Sequence, residues 1–204
     1  MQPFTIVRGP AAALPTANID TDVIMPKQFL KGVDRKGLDR GAFFDLRFDG
    51  PYRPREDFIL NRAGWRNACF LITGANFGCG SSREHAVWGL SQLGIRALIG
   101  TSFAGIFNDN CQRNGVLTIT LPSAIIEELM MHAGHAETNE MTIDLPAQTI
   151  TVEATQLVIP FDIDPLRKES LLQGLDAVSA TLVHHTDRIR AFEQSHRRAN
   201  PWFF

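Results

Sequence analysis

The sequence predicts a mixed α/β fold in a layered β/β/α arrangement with a mixed sheet. Two observations carry this. Three apolar runs, "ACFLITG" (68–74), "IRALIG" (95–100) and "VLTITL" (116–121), alternate with helical patterns. That order yields parallel strands joined by right-handed crossovers. Three further runs, "MTIDL", "TITVEA" and "QLVIPF", follow one another across short polar breaks, the pattern of an antiparallel meander.

The elements follow in order. "FTIVRG" reads as a first short strand. "AAALPTANIDTDVIMPKQFL" is broken by Pro15 and Pro26 and reads as loop, with a short extended piece at 22–25. Residues 31–57 are dense in charge, Gly and Pro, with Phe43, Phe44, Leu46 and Phe48 embedded. They read as a surface excursion pinned by aromatics and running on to about residue 62, a length of loop that often lines a site. The period-3.6 pattern of "REHAVWGLSQLG" (83–94) predicts a helix stopped by Gly94, and "FAGIFNDNCQRNG" (103–115) another. A third helix is expected from Ser123 to about His132. The tail, 164–204, reads as a helical extension, with Pro165 in a first turn and Pro201 closing the last helix. No internal repeat divides the 204 residues, which read as one domain.

Composition narrows the function. Hydrophobic residues make up 44% and the net charge is −2, so the overall balance offers no electrostatic case for nucleic acid or an acidic membrane surface. No stretch approaches the roughly 20 apolar residues that span a bilayer. The N-terminus lacks a basic region followed by an apolar run, so no signal peptide is expected. Three widely spaced cysteines, Cys69, Cys79 and Cys111, form neither a disulfide framework nor a CxxC metal signature. A reducing, cytoplasmic setting is the simplest expectation.

The chemistry concentrates in "NFGCGSSREHAVWGL" (76–90), at a strand-to-helix junction. In open α/β sheets, ligands bind outside the C-terminal ends of strands. Gly78 and Gly80 permit backbone conformations closed to other residues. Ser81-Ser82-Arg83-Glu84 fits the capping box S-x-x-E, so one reading is a helix cap and nothing more. The other uses the same geometry for an anion: a helix N-terminus with free N–H groups, and Arg83 beside it to grip a carboxylate or phosphate. A serine held there could act as a base if positive charge stabilised its alkoxide. The loop matches neither the P-loop, for want of its lysine, nor G-x-G-x-x-G, nor G-x-S-x-G.

The same residues carry a resemblance. "NFGCGSSREHAVWGL" followed by "IRALIGTSFAGIFNDNCQRNGVLTI" resembles the swivel domain of the aconitase superfamily. "NIDTDVIMPKQFLK" (18–31) and "FDIDPLRKESLLQGLD" (161–176) resemble the bacterial 3-isopropylmalate dehydratase small-subunit family, and the similarity runs from about residue 5 to 202. The resemblance implies a swivel-domain fold and a heteromeric hydro-lyase of leucine biosynthesis that interconverts 2- and 3-isopropylmalate by dehydration and rehydration. It implies a large-subunit partner that carries a [4Fe–4S] cluster, with no cofactor bound by this chain. By the same resemblance Ser81 is the base, Arg83 binds a substrate carboxylate and Ser82 adds a hydrogen bond. Asp22 and Gly80 support the site, with His85 in a hydrogen-bonding rather than proton-transfer role. Phe29, Leu30 and Lys31, in "QFLKG" (28–32), fall where substrate selection lies, and the first two would suit an isopropyl group.

Other segments depart from the family pattern. "LRKESLLQGLD" replaces a usual R-R-E-C-L-L-N-G-L-D, and Leu46 stands where tryptophan commonly precedes Arg47. The alternatives are therefore a paralogue acting on another 2-alkylmalate or citraconate-type acid, a free-standing anion-binding module, or a non-catalytic regulatory subunit.

Overall fold

The computed structural model describes residues 1–31, 35–50 and 52–203. Strands β1 (Ile6–Leu14), β2 (Phe70–Thr73), β3 (Ala97–Gly100), β4 (Leu117–Thr120), β5 (Glu140–Asp144), β6 (Thr149–Val152) and β7 (Leu157–Pro160) form one sheet. Its order is β4-β3-β2-β1-β5-β6-β7. The four strands from β4 to β1 run parallel, and β5, β6 and β7 continue antiparallel from β1. Helices are α1 (Thr21–Ile24), α2 (Phe44–Arg47), α3 (Glu84–Gln92), α4 (Gly105–Arg113), α5 (Ser123–Ala133), α6 (Pro165–Gln173) and α7 (Ala177–Ala199).

The parallel strands β2, β3 and β4 are buried at every position except Thr120, as strands covered on both faces must be. Alternate residues feed two cores. Ala11, Phe70, Ile72, Ile99 and Ile119 pack with α5 and the meander, while Ala12, Leu14, Leu71 and Leu98 pack with α3 and α4. The sheet is thus a layer between two hydrophobic bodies, the mixed α/β architecture that the sequence predicts.

Two expectations need correction. The first strand runs to Leu14, well past the predicted "FTIVRG". Ala11–Ala13 have low intrinsic strand preference, but parallel pairing with Phe70–Ile72 of β2 overrides it. The extended piece expected at 22–25 is instead part of α1, because the Asp20 carboxylate accepts the Val23 N–H at 2.8 Å and caps a helical turn. The β-branched residues around it conceal that cap.

The excursion wraps the α3 side of the sheet. Residues 32–34 and 51 lie outside the described residues, Gly32 of "QFLKG" among them. Phe44 is its hub, with ring centroids 5.0 Å from Phe29, 5.3 Å from Phe48 and 5.5 Å from Tyr52. Trp65 anchors the return by donating from Nε1 to the Ala133 carbonyl at 2.8 Å.

Three neighbouring strands deliver their C-terminal loops to one edge. The segment after β1 reaches residues 18–22, the loop after β2 is 74–83, and the loop after β3 holds Phe103, whose backbone bridges Phe77. The β2 loop is seated on α4 through Gly78. Its φ is +77°, and a Cβ there would lie 2.1 Å from Cγ of buried Phe107. Gly78→Ala adds left-handed strain to a clash with a ring that cannot swing away. The expected loss is about 2–4 kcal/mol, from the cost of that backbone region and of overpacking. The measurement is urea unfolding, with a lower midpoint at unchanged slope. An unchanged midpoint would mean that α4 yields freely.

Candidate active site

The segment 18–21 and the loop 75–80 are zipped together by backbone hydrogen bonds. Asn18 N–H donates to the Ala75 carbonyl at 2.8 Å, Gly78 N–H to Ile19 at 2.8 Å, and Thr21 N–H to Cys79 at 2.9 Å. Asp20 and Cys79 form a parallel bridge. Gly80, at φ +87°, passes over Asp20, where a Cβ would sit 3.2 Å from the aspartate's own Cβ. Asn76 ties in from the side, donating from Nδ2 to Asn18 Oδ1 at 2.8 Å.

This zip sets Asp22 opposite the serine loop. Ser81 Oγ donates to Asp22 Oδ2 at 3.4 Å, and the Arg83 guanidinium pairs with Oδ1 of the same carboxylate. The structure thus brings together Asp22, Gly80, Ser81 and Arg83 from segments about 60 residues apart in sequence. The Arg83 side chain is 26% exposed and that of Asp22 49%, so the pair faces solvent and is worth about 0–1 kcal/mol.

The capping-box reading does not hold. α3 begins at Glu84, with Arg83 as its N-cap and no side-chain cap. Ser82 adopts φ +54°, which together with left-handed Gly80 turns the chain before the helix starts. The Glu84 carboxylate is taken by Asn114, whose Nδ2 donates at 2.8 Å, so it does not return to Ser81. Ser81 is left exposed, its hydroxyl shared only with Asp22 among the described residues. The first N–H groups of α3 remain without helical partners, and the positive end of the helix faces the Ser81–Arg83 turn.

His85 lies against Trp88, with ring centroids 4.6 Å apart. Trp88 in turn donates to Asn114 Oδ1 at 2.9 Å and carries the Arg35 guanidinium over its face at 4.1 Å. Phe29 and Leu30 are half-buried against the α3-side core, and Lys31 is exposed. The cleft beside Asp22 is lined instead by Pro26, Lys27, Gln28 and Asp45. Lys27 and Gln28 are site neighbours that the sequence reading passed over, although they share the stretch "PKQFLK" with the residues it singled out. Thr21 was missed too. It is fully buried beside Gly80, with its hydroxyl unpartnered among the described residues.

The thiols of this chain do not fit an iron–sulfur cluster. Burial pushes Cys69 up to about 11 and Cys111 further still, so neither is a ready thiolate. Cys79 turns its Sγ to the Asn18 carbonyl at 3.4 Å. Among the described residues, no three His, Cys, Asp or Glu side chains gather to hold a metal ion.

Comparison with known proteins shows the family of the chain. A model described as the aconitase C-terminal domain matches residues 1–124, and a LeuD_N model matches 127–165. A third model, of the C-terminal domain of the 3-isopropylmalate dehydratase small subunit, matches 179–204. The chain is 60% identical to 3-isopropylmalate dehydratase small subunit 1 of Mannheimia succiniciproducens, covering 99% of this chain and 98% of that protein. It is 52% identical to small subunit 2 of Salmonella typhimurium, covering 99% and 96%. A crystal structure of 3-isopropylmalate dehydratase from Methanocaldococcus jannaschii superposes with a TM-score of 0.65 at 26% identity, over 94% of this chain and 99% of that one. Matched from end to end in sequence and along almost its whole length in structure, this chain belongs to the small-subunit family of 3-isopropylmalate dehydratase, a hydro-lyase of leucine biosynthesis built here on the aconitase swivel fold.

Proposed function

We propose that this chain contributes the base and one carboxylate clamp to a dehydratase site completed by a large subunit, with 2- and 3-isopropylmalate as the substrates. The observation that carries the reading is the Asp22–Ser81–Arg83 contact at the N-terminus of α3. In the free chain Arg83 is held by Asp22. A substrate carboxylate, able to accept two parallel N–H bonds, competes for that guanidinium with a partner that solvent already screens. Ser81 then removes the proton from the carbon next to a carboxylate while the hydroxyl leaves the neighbouring carbon. Hydroxide, the leaving group of the first half, then adds to the carbon that lost the proton. Ser81 returns its proton to the carbon that lost the hydroxyl, so one H⁺ and one OH⁻ leave and return with their positions exchanged.

Ser81 is a weak base until its alkoxide is stabilised. The N–H groups at the start of α3, the helix dipole and the Arg83 charge all favour it, and exclusion of water by the partner strengthens each of them. The isopropyl group is assigned to half-buried Phe29 and Leu30, which follow the cleft-lining Lys27 and Gln28 in the chain and pack on the α3-side core rather than line the cleft in the free chain. The [4Fe–4S] cluster belongs to the large subunit on this reading, and the thiol chemistry of this chain agrees with that division.

Two substitutions separate the roles. With the large subunit, anaerobically, Ser81→Ala is expected to lower kcat by about 10²–10⁴-fold while complex formation is unchanged. A variant as active as wild type would remove Ser81 from the chemistry and favour a regulatory subunit. Arg83→Lys keeps the charge but loses the planar fork, so KM should rise about 10–100-fold with a smaller change in kcat. An unchanged KM would place the carboxylate elsewhere.

A further inference from the structure

The 23-residue α7 carries Val178, Leu182, His185, Ile189, Phe192 and His196 at alternating spacings of four and three. That period keeps them on one stripe along a helix about 35 Å long. None of them belongs to either core. Val178 is 69% exposed, Leu182 50% and Phe192 66%, and just beyond the helix Trp202 and Phe203 are 73% and 69% exposed. The stripe is internally ordered at its end, where the His196 ring stacks on Phe192 at 5.4 Å and lies 5.9 Å from Phe203. A long helix in water keeps its shape mainly through an apolar face packed on something. An apolar patch of this extent marks a contact.

We infer that this stripe is the docking surface for the large subunit of the dehydratase, an inference that rests on the small-subunit reading above. The first support is where the stripe lies. Residues 1–124 match a domain described as the aconitase C-terminal domain, whereas 179–204 match one described as the C-terminal domain of the 3-isopropylmalate dehydratase small subunit. On the small-subunit reading, contact between surfaces holds this fold to the large subunit. The segment with the small-subunit match carries most of this exposed apolar stripe.

The second support is that the stripe suits another copy of itself poorly. In a parallel pair, His185 at its middle would face its own counterpart across the seam. In an antiparallel pair it would be set against Ile189. Either way an imidazole is buried against a like ring or an aliphatic chain, which costs free energy. A different protein can offer it an acceptor. At helical spacing Arg188, Arg190 and Arg197 flank the stripe against one acidic residue, Glu193, a positive rim that fits a groove with acidic lips.

The test measures binding and activity separately. Full-length chain and cluster-loaded large subunit are titrated anaerobically, with wild type, the double variant Leu182→Asp/Phe192→Asp, and Val183→Asp on the opposite side of α7. All three positions are exposed, so unfolding midpoints should agree. The expected result is a Kd raised about 100-fold or more in the double variant, little change in Val183→Asp, and wild-type rates regained at saturating large subunit. An unchanged Kd in the double variant overturns the inference. Two other results also overturn it. One is a wild-type self-dimer in sedimentation that the double variant abolishes, which gives the stripe to a second copy. The other is wild-type pelleting with anionic phosphatidylserine vesicles that the double variant abolishes, which gives it to a lipid surface. Failure of the wild type itself to bind the large subunit would instead sink the small-subunit reading.

Discussion

The site depends on a short parallel zip between Ile19–Thr21 and Gly78–Cys79. Two backbone hydrogen bonds, Gly78 to Ile19 and Thr21 to Cys79, join loops that leave adjacent parallel strands. Each is worth about 0.5–1.5 kcal/mol net, and losing one partner where the backbone is buried costs more. The exposed Arg83–Asp22 pair is worth less. The scaffold, not the ion pair, therefore holds the serine loop in place. Gly78 makes the zip possible by letting the loop lie on the Phe107 ring, and Gly80 by passing the chain over Asp20.

Strand order explains why the zip lies where it does. β1, β2 and β3 are neighbours and parallel, so their C-terminal loops emerge side by side. Had β1 been antiparallel to β2, residues 18–22 would leave from the opposite edge. Asp22 would then be a full strand length from Ser81. The antiparallel strands β5, β6 and β7 contribute nothing to that edge. They complete the core on the α5 face.

Much of this was legible in the sequence. "ACFLITG", "IRALIG" and "VLTITL" are apolar because both faces of their strands are covered, so the runs announce themselves. The cluster "GSSRE" stood out as either a helix cap or an anion site, and the structure removes the cap. What could not be read depends on contacts distant in sequence. Ala11–Ala13 are strand because β2 pairs with them. Ser81 is not a cap because Asp22, 59 residues away, takes its hydroxyl and Asn114 takes Glu84. The aromatic pinning of the excursion was predictable in kind, but its partners were not: Phe29, read as substrate-facing, also packs on Phe44.

On the proposed reading of Arg83 as a carboxylate clamp, the weakness of the Arg83–Asp22 pair has a functional sense. Were the pair buried, breaking it would leave an uncompensated charge and cost about 3–5 kcal/mol, a barrier that substrate would have to overcome. Left half-exposed, it keeps Arg83 oriented yet lets a carboxylate displace Asp22 at small cost. The same exposure makes the site incomplete. Water around Ser81 screens the helix dipole and the guanidinium, the two terms that favour an alkoxide. Covering the loop removes that screening without moving any residue of this chain. On the proposed reading of Ser81 as the base, the arrangement is electrostatically weak in open water and strong once a partner covers it.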